Sequence, residues 1–356
     1  MFECAREILD RQVAQGICHG YALAVGQKER MLSTAVGGSV GGPGTAAVSL
    51  QTRYDVASLT GIMVTMPLMM VALEQGRLSL RDRLSMYFPV PADKKSLTLF
   101  HLLTHTSGME NDFLLEQTAA NAQNVMDSIL ARPLASPVGK HARYSAIAII
   151  ALGKVLEQVF GMSLDRAARQ FVFTPLGMKH TGYLPTGEHI AYTAANADTG
   201  EPRIGTSNDA NTLFLRGISG NGGLFSNVED CARFLKMLVC GGLSENGAFL
   251  SCEVLRQATT LQTSGAEKGF GFCMQMADSK EDPFLGDLWP ASGCGLVSYL
   301  GCSLALDVHS GLYVAVLMNR MGSTRESDGM LRMRRLTHNS ICAELLRSLA
   351  MQEGQH

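Results

Sequence analysis

What the chain lacks narrows its function before any motif is read. None of its nine cysteines forms a C-x-x-C pair, and no cysteine and histidine cluster has zinc-finger spacing. The cysteine count is odd, and most lie in apolar or helical surroundings, as Cys231, Cys240 and Cys342 do. That pattern reads as buried reduced thiols in a reducing compartment rather than as a disulfide framework. The formal net charge is -2, so no bulk field draws the chain to nucleic acid or to an anionic membrane. The longest nearly uninterrupted apolar run, residues 61–73, is too short to span a bilayer. The opening M-F-E-C-A-R-E-I-L-D is charged and helix-like, without the apolar core of a signal peptide. A cytoplasmic location is therefore expected, with no nucleic-acid or membrane partner. The glycine-rich stretch 37–44, G-G-S-V-G-G-P-G, lacks the G-x-x-x-x-G-K-[ST] pattern of a phosphate loop. No paired carboxylates stand at useful spacing, and neither a metal nor a cofactor is expected.

The 356 residues are 46% hydrophobic and 17% charged, which describes a folded chain of one large or two intimately packed lobes. Nineteen methionines read as soft core packing. Residues 1–16 have a helical apolar face at Ile8, Leu9 and Val13. Residues 21–26 and 31–36 form a hairpin around Gln27-Lys28-Glu29. A helix follows Tyr144 and stops at Gly161, and another runs over 228–239 behind the cap Asn227. Two strands, 302–308 and 312–319, turn at His309-Ser310-Gly311. A last amphipathic helix runs over about 330–349, with Arg332, Arg334 and Arg335 as a solvated basic face.

The rest is organised around residues 54–76, Y-D-V-A-S-L-T-G-I-M-V-T-M-P-L-M-M-V-A-L-E-Q-G. The stretch starts extended and becomes a helix that is apolar all round, hence buried. Pro67 removes a backbone donor, so a kink or local bulge is expected there. Ser58 stands where the helix starts, and as a bland alternative it is simply an N-cap. Further on come L-T-L-F-H-L-L-T-H-T-S-G at 97–108, Y-S-A at 144–146, F-T-P-L-G-M-K-H-T at 173–181, and G-T-S-N-D-A-N followed by G-N-G-G-L-F-S between 205 and 226. His101 and His105 are four apart, a spacing that also suits metal, but they are read as structural.

In order and spacing, these landmarks resemble the serine β-lactamase and penicillin-binding-protein superfamily, in the branch of class C β-lactamases, DD-peptidases and esterases. The resemblance runs from about residue 5 to 348. It implies an α/β, β-lactamase/transpeptidase-like fold, an antiparallel sheet flanked by terminal helices plus an inserted, mainly helical lobe. The sheet lobe would take about 1–59 and 206–356, the helical lobe about 60–205. It also implies that Ser58 is the acylated nucleophile and Tyr144 the second base and donor, at the base of a cleft between the lobes. Oxyanion donors would be the N–H groups of Ser58 and Cys294.

Three positions depart from the family pattern. The lysine expected three residues after Ser58 is Gly61. The asparagine expected after Tyr144-Ser145 is Ala146. The third motif, H-T-G or K-T-G in the family, is matched by Ala291-Ser292-Gly293, next to Cys294, without a cationic or imidazole residue. Six extra residues then precede Gly301-Cys302-Ser303-Leu304. A serine hydroxyl is a poor nucleophile without an adjacent base. Three readings follow: a catalytically impaired homologue that keeps its cleft for a small-molecule, peptide or ester ligand; an active esterase or amidase with a recruited base such as Lys140; or a non-catalytic structural or self-associating protein.

Overall fold

The apolar stretches at the two ends of the chain pair with one another. The computed structural model describes residues 1–111, 113–195, 201–263, 269–277, 284–320 and 327–353. Its main sheet is antiparallel and six-stranded, in the order Gln275–Met276, Cys294–Val297, Ser303–Asp307, Leu312–Arg320, Cys18–Gln27, Arg30–Gly38. Tyr21 lies opposite Met318 and Gln27 opposite Leu312, so the N-terminal hairpin docks on the last long strand. Gly311 makes the turn before that strand at φ +74°, where a Cβ would meet Lys28 Cγ at 2.5 Å. The tight contact between the two hairpin turns thus requires glycine.

The terminal helices Glu3–Ala14 and Ser327–Glu353 pack together on one face of the sheet, over Leu9, Leu23, Val314, Val316 and Ile341. On the other face the helix Val228–Val239 packs against the strands. Its Leu235 joins a larger core with Ile62, Met66, Met69, Ile149 and Leu152 from the helices that follow the first hairpin. This is the α/β fold, antiparallel sheet and helices, expected from the sequence.

Local chemistry sets the helix ends. Ser145 Oγ accepts the N–H of Ala148 at 3.1 Å to start Ala146–Phe160, and Gly161 ends it at φ +65°. Asn227 Oδ1 accepts the N–H of Asp230 at 2.9 Å to start Val228–Val239. Proline 67 is absorbed as a bulge. Gly61–Thr65 is one π-helical turn in which the N–H of Met66 reaches the carbonyl of Gly61, and Met66–Glu74 continues as α-helix with proline in its first turn. By length and composition Ala57–Glu74 is apolar enough to cross a membrane, but 78% of it is buried inside the protein, as a core helix is.

One expectation is corrected. The arginines of the last helix do not form a single solvated face. Arg334 is 5% exposed, and its guanidinium donates to the carbonyls of Ser298 and Gly301.

Candidate active site

The site is built on a sharp turn. Tyr54–Asp55 pairs with Leu224–Ser226, and Val56 donates its N–H to Leu224. Ala57 then takes φ +49°, a left-handed conformation that costs a residue with a Cβ. Asp55 Oδ1 holds it there by accepting the Ala57 N–H at 2.9 Å. Ser58 is the middle residue of the 3₁₀ turn Ala57–Leu59 and is half-buried. It is not an N-cap, because Val56 holds that position and Ser58 lies inside the turn. The Thr60 hydroxyl does the local bonding instead, donating to the Ala57 carbonyl at 2.6 Å and accepting the Leu224 N–H at 3.3 Å.

Ser58 and Tyr144 line one cavity of about 300 Å³, together with Asn208, Asp209, Asn221 and Tyr299. The Tyr144 hydroxyl donates to Asn221 Oδ1 at 2.6 Å and has Ser58 as a second hydrogen-bonding neighbour. Although the ring is only partly covered, protein crowded around the phenol raises its pKa well above the usual tyrosine range, and the bonds to Ser58 and Asn221 offset this only in part. Tyr144 is therefore a neutral donor at ordinary pH rather than a base.

His105 packs behind it. Its ring lies 4.8 Å from those of Tyr144 and Phe270, and its Nδ1 accepts the N–H of Ser145 at 3.2 Å. Burial pulls its pKa down to about 3, with the Cys273 backbone opposing weakly, so the imidazole is neutral. His101 Nδ1 lies 2.9 Å from Thr98 Oγ1 in a capping box at the start of Leu99–Leu103. Both histidines serve packing and capping. Among the described residues no three His, Cys, Asp or Glu side chains converge as a metal site would require.

The eroded positions fall in different places. Gly61 is buried in the π turn, where an added Cβ would meet Ile149 Cγ2 at 3.5 Å and nothing nearer. Ala146 opens its helix with its N–H bound to Asn111 Oδ1 at 2.6 Å, so an amide from another loop reaches that position. Neither residue lines the cavity. Lys140 is exposed and does not line it either.

The expected placement of the third motif is corrected. Ala291 and Ser292 are exposed, and the Ser292 hydroxyl donates to Asp307 Oδ1 at 2.7 Å, at the end of the sheet where Asp307 pairs with Leu312. Gly293 packs under Trp289, and Cys294 is buried with its thiol toward Met274. None of the four lines the cavity. The other end of Cys294–Val297 does so, through Tyr299 just beyond it, while the Cys302 thiol there lies 3.4 Å from the Met318 carbonyl and 3.8 Å from that of Asp55. Reading the motif at Leu296-Val297-Ser298 moves it five residues toward Gly301 and leaves only Tyr299 and Leu300 between them, a short spacing that was the signal available in the sequence. Among the described residues nothing accepts the backbone N–H of Ser58 or of Tyr299. Tyr299 thus replaces Cys294 as the second candidate oxyanion donor. Asn208 and Asn221 were missed as well.

The fold and this turn-centred cavity agree with the comparison of the chain to known families, in which residues 5–338 match the Beta-lactamase family. The chain belongs to that family. A beta-lactamase-family relative from Escherichia coli (strain K12), named "Putative D-alanyl-D-alanine carboxypeptidase", is 26% identical over 301 residues, which cover 76% of this chain and 69% of that protein. EstCE1, described as a hydrolase with promiscuous acyltransferase activity, superposes with TM-score 0.77 at 19% identity, over 96% of this chain and 98% of its own. A penicillin-binding-protein homologue from Caulobacter crescentus gives TM-score 0.74 at 16% identity, over 95% and 97%. These structures share the fold. The chain is a beta-lactamase-family serine hydrolase homologue.

Proposed function

We propose that this serine hydrolase homologue is catalytically impaired, keeping a cleft that binds an acyl ligand while Ser58 turns over slowly or not at all. One observation carries the reading. Three residues after Ser58 the helix presents Gly61, and no lysine, arginine or histidine lines the cavity among the described residues. Tyr144 does not replace the base, because its proton is held on the phenol and directed at Asn221. Loss of a general base costs about 10²–10⁴ in rate. The helix N-terminus beneath Ser58 and the two free N–H groups remain, so a reactive acyl or phosphonyl group still has a place to react. Removal of the adduct needs the same missing base, so any adduct persists. The resemblance to a promiscuous acyltransferase supports an acyl group as the ligand's reactive part.

The test is intact mass after incubation with a fluorophosphonate or a reactive penicillin. The expected result is a slow, single, lasting adduct on Ser58. Rapid turnover that Ser58→Ala abolishes would overturn the impaired reading and favour an active esterase with another base.

A further inference from the structure

The polar groups facing the cleft have an unbalanced set of needs. Asp209 lines the cavity. Its Oδ2 accepts the N–H of Thr212 at 2.7 Å, while Oδ1 accepts from no described residue. It lies close enough to act on the Tyr144 phenol, and on the carboxylate of Asp55 beneath the turn, which it repels. Among the described residues neither carboxylate forms an ion pair. The guanidinium of Arg320 lies 5.1 Å from the Tyr299 ring centre and does not line the cavity.

A second observation points to the other half of a ligand. Asn221 is 7% exposed and lines the cavity. Its Oδ1 is taken by Tyr144, but its Nδ2 donates to no described residue. With the free N–H groups of Ser58 and Tyr299, the cleft offers three unspent donors for a carbonyl and one uncompensated carboxylate. A ligand carbonyl bound there would accept from donors that no described residue satisfies. A carboxylate-bearing ligand would bring a second negative charge toward Asp209, whereas a cation would answer it.

We infer that the cleft is selective for acyl compounds bearing a primary ammonium near the acyl carbon, such as an amino-acyl ester or amide, over acyl compounds bearing a carboxylate. This rests on the cleft being the ligand site, but not on Ser58 being impaired. The volume of about 300 Å³ suits a small ligand of this kind.

The test uses three primary amides that carry different groups on the same two-methylene spacer: β-alaninamide with its ammonium, butanamide with a methyl, and succinamate with its carboxylate. Each is titrated by NMR against the full chain near neutral pH. β-Alaninamide should bind at least about tenfold more tightly than succinamate, as expected of one charge-assisted contact. Added salt should shrink that ratio. In Asp209→Asn, which keeps an effective cap for Ala210–Phe214, β-alaninamide should fall to the level of butanamide. Succinamate binding as tightly as β-alaninamide, no saturable shift with any probe, or a ratio unchanged by salt would overturn the inference. Rapid turnover of a reactive ester would sink the impaired reading and leave this one standing.

Discussion

The carboxylate of Asp55 ties Asn208 to the turn that carries Ser58. Oδ2 accepts the N–H of Asn208 and Oδ1 the N–H of Ala57, each at 2.9 Å. One wall of the cleft and the strained residue before Ser58 thus share a single buried anchor. Asp55 is 2% exposed and has no cationic partner among the described residues.

Burial pushes the Asp55 pKa up to about 6, against the pull of its N–H donors, with Asp209 adding repulsion. Between about pH 4 and pH 6 the folded protein holds a proton that the unfolded chain has released, so stability falls as pH rises through that window and levels above it. The shift is worth about 3 kcal/mol. Asp55→Asn removes this component. Urea unfolding of both proteins should show wild-type stability, relative to the variant, dropping by about that amount from pH ~4 to pH ~7. A constant difference would show that the buried carboxylate does not titrate in this range.

His338 gives the opposite slope. Its ring lies 5.4 Å from that of Trp289, and among the described residues neither ring nitrogen has a partner. Burial, with the nearby charge of Arg334, pulls its pKa down to about 3. The folded state binds fewer protons than the unfolded between about pH 3 and 6.5, so stability is lost as pH falls through that window. His338→Leu removes both the titration and two unsatisfied nitrogens. It should stabilise by about 1 kcal/mol near neutrality and by roughly 2 kcal/mol more near pH 5. An equal effect at both values would mean that His338 does not charge on acidification.

What could be read from the sequence follows from how local each signal is. Asn227, Gly161 and Pro67 act within a turn of themselves, so those helix ends and the bulge were visible. Ser58 and Tyr144 were found because the landmarks around them keep their order. The third motif was misplaced because Leu296, Val297 and Ser298 carry none of the expected chemistry. What marks the loop after them is a side chain from the last helix, Arg334, 36 residues beyond Ser298. The Asp55 anchor runs to a backbone N–H 153 residues away, and a backbone N–H has no residue-type signature. Asn221 was passed over because only the fold shows that Tyr144 needs an acceptor there.

Arg334 should matter to the cleft although it does not line it. The two carbonyls it binds flank Tyr299. Arg334→Ala leaves both without that donor, a loss of about 2–4 kcal/mol. At a temperature where the variant is still folded, fluorophosphonate labelling of Ser58 should slow, since the Tyr299 N–H is no longer held in place. Arg334→Lys supplies a point charge without the guanidinium fork, so it should recover stability better than labelling. Labelling at the wild-type rate in folded Arg334→Ala would remove the 298–301 loop from the site.

Gly61→Lys tests the missing base directly. The position can take a side chain, since a Cβ there makes only an ordinary contact with Ile149. Replacing a glycine inside a helix also lowers the unfolded chain's entropy, by about 0.5–1 kcal/mol relative to Ala. A lysine amine one turn beyond Ser58 would sit in a largely apolar setting that disfavours its charge, which moves it toward the range of a useful base. Acylation of Ser58 by a fluorophosphonate should then rise by up to ~10²–10⁴, with a pH profile that inflects at the pKa of the new amine. Gly61→Met is the control, of similar length but with no proton to exchange, and should leave the rate near that of wild type. If the lysine and methionine variants label equally, the missing lysine is not the main defect. The losses at Ala146 and at Leu296-Val297-Ser298 would then weigh as heavily, and a double substitution restoring an asparagine at 146 becomes the deciding experiment.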